Sequence, residues 1–214
     1  MAVTIDDGRG ATIMSAERAK AFIDAVVAIA MTLLILPLME SVGEAAAGGL
    51  TAIEWFGEHS DQLLSFALSF AIIAMFWINH HRLFAKVENV SSGLLWLTMA
   101  WLLSIVWLPI ATALSGQLSA EDLSVRVVYI GSMIVTSVLL LLIRLFLRAH
   151  PQLLNGPASD LDRGLAVEAA MVSLFAIALA VSLAIPALTY YPLFLLALTG
   201  PLGGLLHRVT HRAR

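Results

Sequence analysis

The chain has 214 residues, 60% of them hydrophobic and 13% charged, with a formal net charge of −3. A soluble domain carries about twice that charge, and here the apolar residues gather into runs of roughly 20, enough to cross a hydrocarbon core about 30 Å thick. An ordinary soluble enzyme or binding domain is therefore excluded, and the absence of cysteine also excludes disulfides, thiolate metal sites and cysteine nucleophiles.

The first stretch, "MAVTIDDGRGATIMSAERAK", is polar. It has no short apolar core followed by a small-residue cleavage site, so no removable signal peptide is expected. Six apolar segments follow, roughly 19–39, 63–83, 94–114, 127–147, 165–188 and 192–206. Lipid offers a backbone no hydrogen-bond partners, so each run must pair its own N–H and C=O groups as a helix. The expectation is an all-α integral membrane protein, with residues 1–214 forming a single six-helix membrane domain. Arg144, near the end of the fourth segment, is placed where a long side chain snorkels to the interface. The sixth segment is short and holds Pro201 and Gly203-Gly204, which predicts a kinked or partial span.

The charges give an orientation. If the spans alternate, Arg9, Arg18, Lys20, Arg82, Lys86, Arg144, Arg148, Arg163, Arg208, Arg212 and Arg214 share one side, and only Arg126 of the 12 basic residues falls on the other. The positive-inside rule then puts both termini in the cytoplasm. The opposite side is acidic, with Glu40, Glu44, Glu54, Glu58 and Asp61 in its first loop and Glu121 and Asp122 in its second. Such a surface concentrates cations near a pore mouth. Orientation alone also keeps basic residues out of outer loops, and composition does not separate the two readings. The terminal "HRVTHRAR" reads as a positive-inside anchor before it reads as a lipid-binding patch.

One charge lies inside the first span. In "ERAKAFIDAVVAIAMTLLILPLME", Asp24 sits a turn past the start, and an ionisable residue at that depth is a functional candidate. Arg18, six residues away, is on a different face of the helix. A partner therefore has to come from another helix. The antiparallel second span brings "FWINHHRLF" to the same level, with Trp77, His80, His81 and Arg82 as candidates. His80 and His81 point about 100° apart and make a poor metal pair, and no resident metal or cofactor is expected. Beyond Asp24 the helix is uncharged, and Ile29, Thr32, Leu33 and Leu36 fall on one face.

These residues resemble a known family. "RAKAFIDAVVAIAMTLLILP" is similar to the first-helix signature of the endolysosomal potassium channel family (transmembrane protein 175) and its bacterial relatives. That signature is an Arg, three residues, then Phe-Ser-Asp, ahead of an apolar helix ending near a proline. Arg18, Phe22 and Asp24 match it, with Ile29, Thr32 and Pro37 at the matching spacings, and Trp77 and His80 match the family's Trp-x-x-His stretch. Ile23 stands where the family has serine, removing a hydroxyl from the aspartate's surroundings.

The resemblance implies a potassium-preferring cation channel in a bacterial inner membrane: a homotetramer with one central pore lined by each first helix. By position, Ile29 forms the constriction, Leu33 and Leu36 add apolar layers, and Thr32 adds a hydroxyl ring. Arg18, Phe22, Asp24, Trp77 and His80 become structural support at the cytoplasmic end. Apolar rings gate by dewetting and strip part of an ion's hydration shell. The alternative is a small secondary transporter coupled to protons or sodium through Asp24, although no internal repeat of the kind transporters carry is visible. Enzymatic use of Asp24 and His80 lacks a nucleophile, a metal set or a second carboxylate. No nucleotide-binding or nucleic-acid-binding pattern is present, leaving potassium ions and the lipid bilayer as the expected partners.

Overall fold

Apolar runs of this length satisfy their backbones by coiling, and the computed structural model, which describes residues 14–119 and 122–185, bears that out. In chain order it contains β1 (Met14–Ser15), α1 (Ala16–Leu33), α2 (Leu36–Gly48), α3 (Ala52–Glu58), α4 (Ser60–Phe84), β2 (Asn89–Val90), α5 (Ser92–Gln117), α6 (Leu123–Ala149) and α7 (Asp162–Ala184). Two short 3-10 turns, Pro151–Leu153 and Ala158–Leu161, lie between α6 and α7. Among the described residues, five stretches are long and apolar enough to cross a membrane: Ala16–Gly48, Ser60–Phe84, Ser92–Gln117, Leu123–Ala149 and Asp162–Ala184. The first five predicted spans are therefore present as apolar helices, while the predicted sixth, 192–206, lies outside the described residues.

The first span differs from its expected form. The predicted single helix over 19–39 is interrupted after Leu33 and resumes at Leu36, with Pro37 in its first turn. Proline has no N–H to donate and its ring crowds the carbonyl four residues earlier, here Leu33. The chain responds by tightening, and the Ile35 N–H donates to the Thr32 carbonyl at 3.3 Å, a three-residue step. Helical direction is kept, and the run extends to Gly48, where Gly49 closes α2 in the left-handed region at φ 74°. A helix of 33 residues is about 50 Å long at 1.5 Å per residue, so it outruns a 30 Å core. α3 then caps the far connection. Thr51 and Glu54 form a reciprocal capping box, and the Thr51 backbone N–H and hydroxyl hold the Glu54 carboxyl below its usual range.

The helices pack in the order the sequence suggests, each antiparallel to its neighbour. α5 and α6 form the largest contact, α6 and α7 the next, and α1 lies across α4 and α5. Small side chains (Ala16, Ala19, Ala30) flank Ile23 and Val27 on the buried face of α1. In lipid, where no hydrophobic force drives helices together, such small residues permit close backbone approach. Trp101, Tyr129, Phe76 and Phe175 fill the centre. Hydroxyls supply the polar links at the centre: Ser69 and Tyr129 share a hydrogen bond of 2.7 Å, and Thr112 donates to Ser69 at 2.9 Å. Others are satisfied by their own helix, as when Thr98 donates to the Leu94 carbonyl, so no water is needed at that depth.

The connections sort by charge. At the basic end, carrying Lys20, Arg82, Lys86, Arg148 and Arg163, β1 pairs antiparallel with β2. The α4–α5 connection also bonds the turn after α6, Glu88 N–H to the Leu153 carbonyl and Asn155 N–H to the Lys86 carbonyl, each at 2.9 Å. The two-residue strands are a small addition to the expected all-α architecture. The acidic end holds α2, α3 and the α5–α6 connection.

One arginine was misplaced by sequence reasoning. Arg144 does not snorkel. It is buried against α7 and donates to the Glu168 carboxylate at 2.7 Å, with side-chain exposures of 9% and 1%. Leu165 and Gly164 precede that carboxylate by one turn, and Gly164 leaves the space the guanidinium fills, since a Cβ there would collide with it. Arg126, the exception to the charge count, is buried too, donating to the Ser182 carbonyl at 2.6 Å in the last turn of α7. A helix C-terminus leaves carbonyls unpaired and carries partial negative charge, so a cation is stabilised there.

Candidate functional site

The candidate site is built on the α1–α2 rod, which carries two opposed stripes. The buried one runs through Val27, Ala30, Leu34, Leu38, Ser41 and Ala45, in steps of three and four that hold their phase across the break at Pro37. Two residues further on is the opposite side of a helix, about 200° away. Those positions are Ile29, Thr32, Leu36, Glu40, Gly43 and Ala47, and all are exposed. Ile29 is 59% exposed, Leu36 51% and Leu33 38%, against 1% for Val27. The four residues singled out from the sequence therefore lie together on one uncovered face, and the Thr32 hydroxyl donates to the Ile29 carbonyl at 2.8 Å.

The interhelical partner of Asp24 is Trp77, whose indole N–H donates to the carboxylate at 2.8 Å. His81, one turn further along α4, places Nδ1 3.8 Å from the same oxygen and leans on the Trp77 ring at 5.4 Å. His81 and Asp24 are 53% and 40% exposed, so water screens that pair and it adds little. Trp77 is the main link between α1 and α4 here.

His80 takes a different place from the one expected. It is buried and stacks between Trp101 at 4.2 Å and Phe84 at 4.3 Å, away from Asp24. The 100° between adjacent helical residues decides this: with Trp77 and His81 turned to α1, His80 faces α5. Arg18 and Phe22 remain exposed on α1, and Ile23, at the family's serine position, is buried. The structure thus brings Asp24 and Trp77 together, adds His81, and assigns His80 to the α4–α5 interface.

Sequence reasoning missed Glu168. The signal was available, since an acidic residue stands inside the apolar run "LAVEAAMVSLF" and charge within a span calls for a partner. Among the described residues no cluster of three or more His, Cys, Asp or Glu side chains is arranged to hold a metal.

Truncating Asp24 should loosen the α1–α4 contact. Asp24→Ala leaves the Trp77 N–H without its acceptor, at a cost of about 1–2 kcal/mol after allowing for solvent screening. Trp77→Phe should cost about the same, and the double variant no more than either alone, because both delete one interaction. Thermal melting in a fixed detergent checks this, and additive losses would show that the two residues act separately.

Comparison with known proteins bears on the same helices. Residues 18–109, covering α1 to most of α5, match the family model described as endosomal/lysosomal potassium channel TMEM175. A protein of Streptomyces collinus named as a potassium channel is 32% identical over 105 residues, 49% of this chain and 50% of that one. The mouse endosomal/lysosomal proton channel TMEM175 is 35% identical over 105 residues, 46% of this chain and 21% of that one. The chain thus spans about half the length of the bacterial relative it matches, and less of the mouse protein. In fold, it superposes with a TM-score of 0.70 on the crystal structure of a lysosomal potassium-selective channel TMEM175 homolog from Chamaesiphon minutus. That match covers 90% of this chain and 97% of the other at 23% identity. The resemblance noted from the sequence therefore recurs in these comparisons: residues 18–109 match the TMEM175 family model, within a multi-pass membrane protein that shares the fold of that channel.

Proposed function

We propose that the chain is the subunit of a potassium-preferring cation channel, a homotetramer in the bacterial inner membrane. Ile29, Thr32, Leu33 and Leu36 of each copy line a central pore. The basic end faces the cytoplasm with both termini, and residues 192–206 supply the sixth span of a single membrane domain. The observation that carries this reading is the α1 face itself. On the helix bearing the family's sequence, the Ile29–Leu36 stripe is uncovered while the opposite stripe is packed against α4 and α5.

Closed rotational symmetry would set each Ile29 against its symmetry mates. A ring of isoleucines is a dry constriction, and an ion passes it by shedding part of its water. Potassium holds that water less tightly than sodium, which gives a preference without a carbonyl-lined filter. The Asp24–Trp77 bond suits a support at the inner end of the pore helix better than a coupling carboxylate, which would need to be free to load and unload a cation.

Liposomes containing the purified protein test the reading. They should release potassium down its gradient with no second gradient imposed, and sodium more slowly. Flux that appears only with an opposing proton or sodium gradient would replace the channel with a coupled transporter acting through Asp24.

A further inference from the structure

The exposed stripe of the first span does not end with its apolar part. Glu40 follows Leu36 by four residues and Leu38, on the buried stripe, by two, which sets it on the same side as Ile29. The helical phase is kept across Pro37, because the buried stripe passes through the break at Leu34, Leu38 and Ser41 without slipping. Glu40 is exposed, and among the described residues it has no ion-pair or hydrogen-bond partner. The other acidic residues nearby are arranged differently. Glu54 is engaged by Thr51 in the α3 cap, and Glu44 is displaced about 40° around the helix from Glu40, towards buried Ala45.

We propose that Glu40 is the charge that sets cation access to the pore from the acidic side, a specificity-determining residue one turn beyond the Leu36 layer. The inference rests on the pore reading above and deepens it. Symmetry repeats the side chain around the axis, so its carboxylates form a ring at the outer mouth, above the dry layers. The ring raises the local potassium concentration before the dehydration step and repels anions. It forms no dedicated cage, since each carboxylate stays hydrated. It acts through its field, which salt screens over about 30 Å at 10 mM and about 3 Å at 1 M.

The test is single-channel recording of Glu40→Gln at low and high potassium. A mouth potential of about one kT concentrates cations about threefold. Conductance should therefore fall about threefold near 10 mM potassium and match wild type near 1 M. Glu40→Asp should restore most of the loss, and Glu44→Gln should have a smaller effect. Since the chain has no cysteine, Glu40→Cys can be labelled alone. A cationic thiol reagent added on the acidic side should depress low-salt conductance, and an anionic one should restore it.

Low-salt conductance unchanged in Glu40→Gln, or a loss in Glu44→Gln as large as that in Glu40→Gln, overturns the inference. Ile29→Asn distinguishes the causes of failure. If that variant alters selectivity while Glu40→Gln does nothing, the pore stands and the ring falls. If neither has an effect, the pore reading falls with it.

Discussion

Replacing Ile29 by asparagine should raise potassium conductance and bring the potassium-to-sodium permeability ratio towards one. Ile29 is the most exposed of the three large apolar residues on the candidate pore face. An apolar ring imposes a barrier because water, and an ion's own shell, find no partners there. The carboxamide supplies both a donor and an acceptor to each copy, so the ring wets and ions pass with more of their hydration intact. Each 1 kcal/mol off the barrier is about fivefold in rate, and sodium gains more than potassium because it had more hydration to lose. Val27 is the internal control. It is two residues away, on the opposite side of the same helix, and 1% exposed, so Val27→Asn buries an amide without partners and should cost about 1–3 kcal/mol. Its phenotype is poorer assembly, with the permeability ratio of the surviving channels unchanged. A ratio equal to wild type in an Ile29→Asn protein that still assembles would remove Ile29 from the pore.

Glu168→Ala should be among the most destabilising single substitutions in the described helices. The Arg144 guanidinium is buried and donates to Glu168 at 2.7 Å. Removing the carboxylate strands a largely buried cation that has no other ion-pair partner among the described residues. Breaking a buried pair by deleting one partner costs about 3–5 kcal/mol. Glu168→Gln keeps an acceptor and should lose less, and replacing both residues with leucine should recover much of the loss, because the desolvation of two charges disappears as well. Gly164→Ala attacks the same site sterically, since its methyl would occupy the guanidinium's space. Thermal melting of purified protein in one detergent ranks the four variants. A Glu168→Ala protein that melts with wild type would mean that Arg144 finds water or another acceptor when unpaired.

Much of this protein was legible before any tertiary contact was known, for reasons that are local. Apolar runs must be helices in lipid, so five of the predicted spans needed only length and composition, and the helical repeat placed Ile29, Thr32, Leu33 and Leu36 on one face. Asp24 advertised a partner on another helix because charge at that depth is costly, and antiparallel neighbours brought the right segment of α4 to it. Properties that depend on which way a helix is turned, or on what faces it, were decided only by packing. The repeat says that Trp77 and His81 share a face from which His80 is turned away, but not which of them meets α1. The position of α5 settles that, by taking His80 between Trp101 and Phe84. Arg144 read as an interfacial charge because a long side chain near a helix terminus usually reaches water. Only the contact with α7 supplies the carboxylate of Glu168 that makes burial the better state. The break at Pro37 lies between these cases: proline dictates that the helix tighten there, while the continuous buried stripe on either side holds α2 in register with α1.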